Sequence, residues 1–121
     1  MRSDYQILVV DDVEDNLLLL QMLLEAEGYE VETADNGTAA IARVEASPPD
    51  LLLLDVMMPD MSGYEVTRHL RYNKSLSIPI VLVSAHDEAN AAKGLEIGAN
   101  DFIRKPIDFD ELLTRIKTFI K

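Results

Sequence analysis

Three apolar runs of four residues in this chain each stop at an acid or a serine. ILVV (7–10) runs into Asp11-Asp12, LLLL (51–54) into Asp55, and IVLV (80–83) into Ser84. A strand with one face in water alternates apolar and polar side chains, whereas a strand covered on both faces can be apolar throughout. The runs therefore predict central strands of a parallel sheet with helices on either side: Gln6–Val10, Leu51–Leu54 and Ile80–Val83. Shorter strands are expected at Glu30–Thr33 and Phe102–Ile103. Segments with helical spacing separate them, at Glu14–Glu27, Thr38–Ala46, Gly63–Arg71, Glu88–Ile97 and Phe109–Ile120. This alternation reads as an α/β protein of (βα)5 type, a doubly wound parallel sheet. Gly28 and Gly98 follow the first and fourth helices as C-terminal caps. Ser47-Pro48-Pro49 stops the second helix, and Pro79 opens the fourth strand, where a missing N–H is tolerated.

Composition narrows the function classes. The chain has 121 residues, enough for one domain. Its 22 Asp+Glu against 11 Lys+Arg give a formal charge of −11, which speaks against a direct nucleic-acid face. There is no Cys, so thiol chemistry and thiolate metal sites are excluded, and a cytoplasmic setting is the simplest expectation. No apolar run reaches the roughly 18 residues that span a bilayer, and the N-terminus lacks a signal-peptide cleavage region. The last helix runs almost to Lys121, so the expectation is a single domain over 1–121 with no output domain.

Open parallel sheets bind ligands outside the carboxyl ends of their strands, where strand order reverses. With order 2-1-3-4-5 that point lies between the first and third strands. These carry Asp11, Asp12 and Asp55, while Ser84 ends the fourth strand and Lys105 follows the fifth. Five polar groups from four strands thus converge. Two carboxylates about 4 Å apart repel by roughly 4 kcal/mol at an effective dielectric of about 20. A cluster of acids must raise a pKa or bind a cation, and a hard divalent ion such as Mg²⁺ suits oxygen ligands. Metal and Lys beside carboxylates is an arrangement for phosphoryl transfer, in which a carboxylate can be the nucleophile. Taken singly, each residue has a plainer explanation. Asp12 could be the N-cap of the first helix, Asp11 a solvated loop acid, and Asp55 a turn cap. Ser84 could cap the next helix, and Lys105 could be a surface residue ahead of a helix-start Pro106. It is their joint placement that points to a site.

The motifs VVDD (9–12), LLLLDVMMPDMSGYE (51–65), VLVSA (81–85) and GANDFIRKP (98–106) resemble the receiver domain of two-component response regulators, over the whole chain. The resemblance implies a flavodoxin-like fold in which Asp55 is the phosphoacceptor. It implies that Asp12 binds Mg²⁺ directly, Asp11 partly through water, and the Met57 main-chain carbonyl as a further ligand. It also implies that Ser84 hydrogen-bonds the phosphoryl group, Lys105 pairs with it, and Phe102 stands at an aromatic switch position. The bond before Pro106 is expected to be cis. Phe102 lacks a Tyr hydroxyl, so a switch there works through packing. Met57 and His86 stand where family members tune phosphoryl lifetime. Met57 orients water poorly, so slow self-dephosphorylation follows unless His86 opposes it. The implied partners are a histidine kinase or histidine phosphotransfer protein and an output domain or protein. The output would meet the face of the fourth helix, fifth strand and fifth helix, with a phosphorylation-induced homodimer left open.

In the first helix, seven of the eight residues from Leu17 to Leu24 are apolar. Val13, Asn16, Leu20, Leu23, Leu24 and Glu27 share about one third of its circumference, whereas Leu18 and Met22 lie opposite. The latter pair is either incidental surface or a docking patch for partner helices. His69 is expected at the surface or in packing. Three rival functions remain. A flavin or nucleotide binder would need a Gly/Ser/Thr phosphate loop where this chain has Asp-Asp-Val-Glu-Asp. An Asp-nucleophile phosphatase would need D-x-D and a cap. A degenerate receiver would have lost part of the acid, Ser84 and Lys105 set.

Overall fold

The computed structural model describes residues 5–72, 76–85 and 88–120, with the backbone alone described at 88–91. His86 therefore lies outside the described residues. Five strands and five helices alternate: β1 (Gln6–Val10), α1 (Glu14–Ala26), β2 (Glu30–Ala34), α2 (Gly37–Ala46), β3 (Leu51–Asp55), α3 (Gly63–Tyr72), β4 (Ile80–Ser84), α4 (Glu88–Glu96), β5 (Asp101–Arg104) and α5 (Phe109–Phe119). All strand pairs are parallel, in the order β2-β1-β3-β4-β5. The fold class and strand order are those expected.

Consecutive strand side chains point to opposite faces, and the apolar runs divide accordingly. Ile7, Val9, Leu51, Leu53, Val81 and Val83 enter one core with Leu112 and Ile116 of α5 and Leu17, Leu20 and Leu24 of α1. Leu8, Val10, Leu52, Leu54, Ile80 and Leu82 enter the other, with Ala40, Ile41 and Val44 of α2 and Val66 and Leu70 of α3. Burying a Leu or Val fully is worth about 1.5–3 kcal/mol, so each run stabilises both layers.

Several local expectations need correction. The strands β3 and β4 continue through Asp55 and Ser84, because main-chain ladders are indifferent to a polar side chain. Pro79 precedes β4, and its carbonyl accepts the Leu52 N–H. The buried stripe of α1 is Leu17, Leu20 and Leu24, leaving Val13 and Glu27 outside it. Leu18 and Met22 are exposed as expected, and Leu19 joins them. Pro106 does not open a helix: α5 is capped by Asp108, whose carboxylate accepts the Asp110 and Glu111 N–H groups. Gly28 and Gly98 have φ of 98° and 116°, the left-handed region in which a Cβ is strained. The Lys105–Pro106 bond is cis. His69 is exposed and lies 3.2 Å from Glu45.

Candidate functional site

β1 and β3 are neighbours, with Val10 beside Leu54, so the residues that follow or end them meet at one rim of the sheet. One carboxylate oxygen from each of Asp11, Asp12 and Asp55 lies within 4.8 Å of the others. Their environments differ. Asp11 is buried, and its oxygens accept the Val13 N–H (2.9 Å) and the Asn16 Nδ2 (3.3 Å). Asp12 is exposed and makes no hydrogen bond among the described residues; the N-cap of α1 is Val13, so Asp12 is not held there as a helix cap. Asp55 is 4% exposed, and its Oδ1 receives no hydrogen bond of good geometry among the described residues.

Lys105 reaches into this cluster from the loop after β5. Its Nζ lies 3.1 Å from Asp55 Oδ1 and 3.5 Å from Asp11 Oδ2. The first contact is an ion pair whose angle falls short of a hydrogen bond. Burial raises the Asp55 carboxyl above its ordinary range; Asp11 raises it further, and Lys105 opposes only part of this. Burial also works against the Lys105 charge, but Asp55 and Asp11 outweigh it and hold the ammonium above its usual value. Three carboxylates against one ammonium leave a local excess of negative charge. With Asp55 Oδ1 held, among the described residues, only by the Lys105 ion pair, that all-oxygen donor set fits a hard divalent cation such as Mg²⁺.

Two further expected residues lie on the neighbouring strands β4 and β5. Ser84, buried at the end of β4, is one step beyond Val83, the register partner of Asp55. Phe102 is half-buried beside Leu82 in the β4–β5 register and packs on the α2/α3 core. Met57 follows Asp55 by two residues and its side chain is exposed. Gly63 comes so close to β3 that a Cβ there would stand 2.6 Å from the Asp55 carbonyl oxygen.

Asn16 at the site, and Asp60 in the loop that follows Asp55, were not expected from sequence. Asn16 carried a usable signal: it follows Asp11 by five residues, in the first turn of α1, and so returns to the same end of the helix. Asp60 carried none, because the groups it binds, Gly37 and Thr38, are 23 and 22 residues away in the chain.

The family model of the response regulator receiver domain matches residues 7–117. Response regulator PleD of Caulobacter vibrioides is 46% identical over 118 residues, covering 96% of this chain and 26% of that protein. The alkaline phosphatase synthesis transcriptional regulatory protein PhoP of Bacillus subtilis is 44% identical over 117 residues, covering 96% of this chain and 48% of that protein. The chain thus spans between a quarter and a half of the length of these relatives. Among solved structures, a response regulator of Chloroflexus aurantiacus superimposes with a TM-score of 0.90 at 32% identity, covering 97% of this chain and 98% of the other. TrrA of Thermotoga maritima, determined in complex with Mg²⁺-BeF, superimposes with a TM-score of 0.86 at 34% identity, covering 99% of this chain and 100% of the other. In sequence, in strand order and in its rim of acids, the chain belongs to the receiver domains of response regulators, the phosphoacceptor modules of two-component signalling.

Proposed function

We propose that this receiver accepts a phosphoryl group on Asp55 from a phosphohistidine of a histidine kinase or phosphotransfer protein. One observation carries the reading: Asp55 is buried beside two more carboxylates, with the Lys105 ammonium 3.1 Å from its Oδ1. An Asp55 oxygen forms the new O–P bond as the P–N bond breaks, and the imidazole nitrogen keeps the bonding electron pair. Lys105 meets the charge on the phosphoryl oxygens, and the Ser84 hydroxyl donates to one of them. Asp11, Asp12, Asp55 and the Met57 carbonyl would hold Mg²⁺, which supplies further positive charge to the phosphoryl oxygens. The Mg²⁺-BeF complex of TrrA supports this choice of cation. The acyl phosphate carries more negative charge than the carboxylate it replaces, and Lys105 with the bound cation would meet that charge.

Once Ser84 has turned to the phosphoryl group, Phe102 repacks inward behind it. The population of the α4-β5-α5 face then shifts, and that face presents the signal to an output domain or protein. The exposed Leu18 and Met22 on α1 form the apolar contact for the phosphodonor's helices. Met57 is a weak acceptor and does not position an attacking water, so the acyl phosphate is long-lived.

Incubation with acetyl phosphate and Mg²⁺, followed by intact mass, tests the acceptor. One base-labile phosphate is expected, absent in Asp55→Ala, and decaying over minutes or longer. Label that survives Asp55→Ala overturns the assignment, and decay within seconds overturns the slow hydrolysis. Leu18→Glu with Met22→Glu should cripple transfer from the kinase yet spare labelling by acetyl phosphate. Loss of both, or of neither, refutes the docking role.

A further inference from the structure

Between Asp55 and α3 the main chain makes a loop that contains Met57. Its stem is closed by the Gly63 N–H, which donates to the Val56 carbonyl at 2.8 Å. Its far end is fastened elsewhere. Asp60 Oδ1 accepts the Gly37 N–H at 3.0 Å, and Oδ2 accepts the Thr38 N–H at 3.0 Å and the Thr38 hydroxyl at 2.9 Å. These are the first residues of α2, whose N–H groups have no partner within the helix. The helix has a cap of its own, since Asn36 accepts the Ala39 N–H at 2.8 Å. That cap does not reach Gly37 or Thr38; a carboxylate on another element does. Although Asp60 is fully exposed, the Gly37 and Thr38 N–H groups pull its carboxyl down to about 2. Met61 packs beside it, so close over Gly37 that a Cβ at 37 would lie 2.3 Å from the Met61 Cγ.

The loop is therefore pinned at two points, and Met57 lies between them. We propose that Asp60 is a positioning residue for the metal: by tying the loop to the first turn of α2, it fixes the main chain at Met57 relative to Asp11, Asp12 and Asp55. This rests on the reading of the cluster as a Mg²⁺ site with a Met57 carbonyl ligand. Outer groups that orient a ligand commonly change metal affinity by 10–100-fold when removed. Coupling is reciprocal, so bound Mg²⁺ must in turn tighten the Asp60 hydrogen bonds and slow hydrogen exchange at the Gly37 and Thr38 amides.

The test is Mg²⁺ titration of the full chain by calorimetry, with amide exchange followed by NMR. Asp60→Ala should weaken Mg²⁺ binding roughly tenfold, with Asp60→Asn in between because one acceptor oxygen remains. Asn36→Ala is the control. It loses a cap of the same helix and lowers the urea midpoint similarly, but should leave Mg²⁺ affinity within about twofold. In the wild type, Mg²⁺ should slow exchange at Gly37 and Thr38. Wild-type affinity in Asp60→Ala overturns the proposal, as does an equal loss of affinity in Asn36→Ala. If Asp60→Ala does not fold, Asp60→Asn takes its place, and wild-type affinity there overturns the proposal equally. A wild type that ignores millimolar Mg²⁺ overturns the metal reading itself, and the proposal with it.

Discussion

β3 runs between two aspartates with opposite fates. Asp50, just before the strand, is exposed, and its Oδ2 accepts the Gln6 N–H at 2.7 Å. Asp55, the last residue of the strand, is 4% exposed, stands among like charges, and has one oxygen without a good hydrogen bond. The side chains are chemically identical and sit at the two ends of one strand, so the difference comes from what the fold brings to each end. The amino end meets water and a main-chain donor, which stabilises the fold modestly. The carboxyl end meets two more acids and an ammonium, which costs stability and leaves a desolvated carboxyl raised above its ordinary range.

The largest expected effect comes from removing the cation at the carboxyl end. Lys105→Ala should slow labelling by acetyl phosphate about a hundredfold, the scale on which loss of one charge-stabilising donor acts. An unchanged rate would place Lys105 outside the chemistry. Next is Asp55→Asn in metal-free buffer. The Asp55 carboxyl is raised above its ordinary 3.8, chiefly by burial. Below that pH the acid is protonated in both folded and unfolded chains and carries no penalty. As pH rises through the folded value, the native state alone must ionise a desolvated group, and stability falls. Asp55→Asn should therefore gain on the order of 1 kcal/mol in urea unfolding at pH 7 and nothing near pH 3. A loss at pH 7 would mean that the ion pair with Lys105 outweighs burial. Smallest is Asp50→Ala, which should cost about 1 kcal/mol or less by leaving the Gln6 N–H to water, with labelling untouched. An effect on labelling would show the two ends of the strand to be coupled.

How far the sequence could be read follows from range. ILVV, LLLL and IVLV were legible as two-sided strands because the pattern is local and strong. Asp11, Asp12, Asp55 and Lys105 were legible as one cluster because the switch-point geometry of the sheet predicts where strand ends meet, and the contacts of 3.1 and 3.5 Å made by Lys105 agree. The ends of β3 and β4 fell one residue short, because a polar side chain hides a main-chain ladder that continues beneath it. The exposed face of α1 was legible at Leu18 and Met22, but Leu17 was missed from the buried stripe, because a run of Leu offers little contrast to fix the stripe's edge. The Asp60 strap was illegible, since nothing near Asp60 announces a partner helix that precedes it in the chain.

The central place of β3 has a mechanical consequence. All five of its residues are buried, and it is hydrogen-bonded to β1 on one side and β4 on the other. Such a strand separates from its neighbours only when the whole molecule opens. A bulky anion attached at its tip would meet a strand held on both sides, so any displacement would fall on the loops around it.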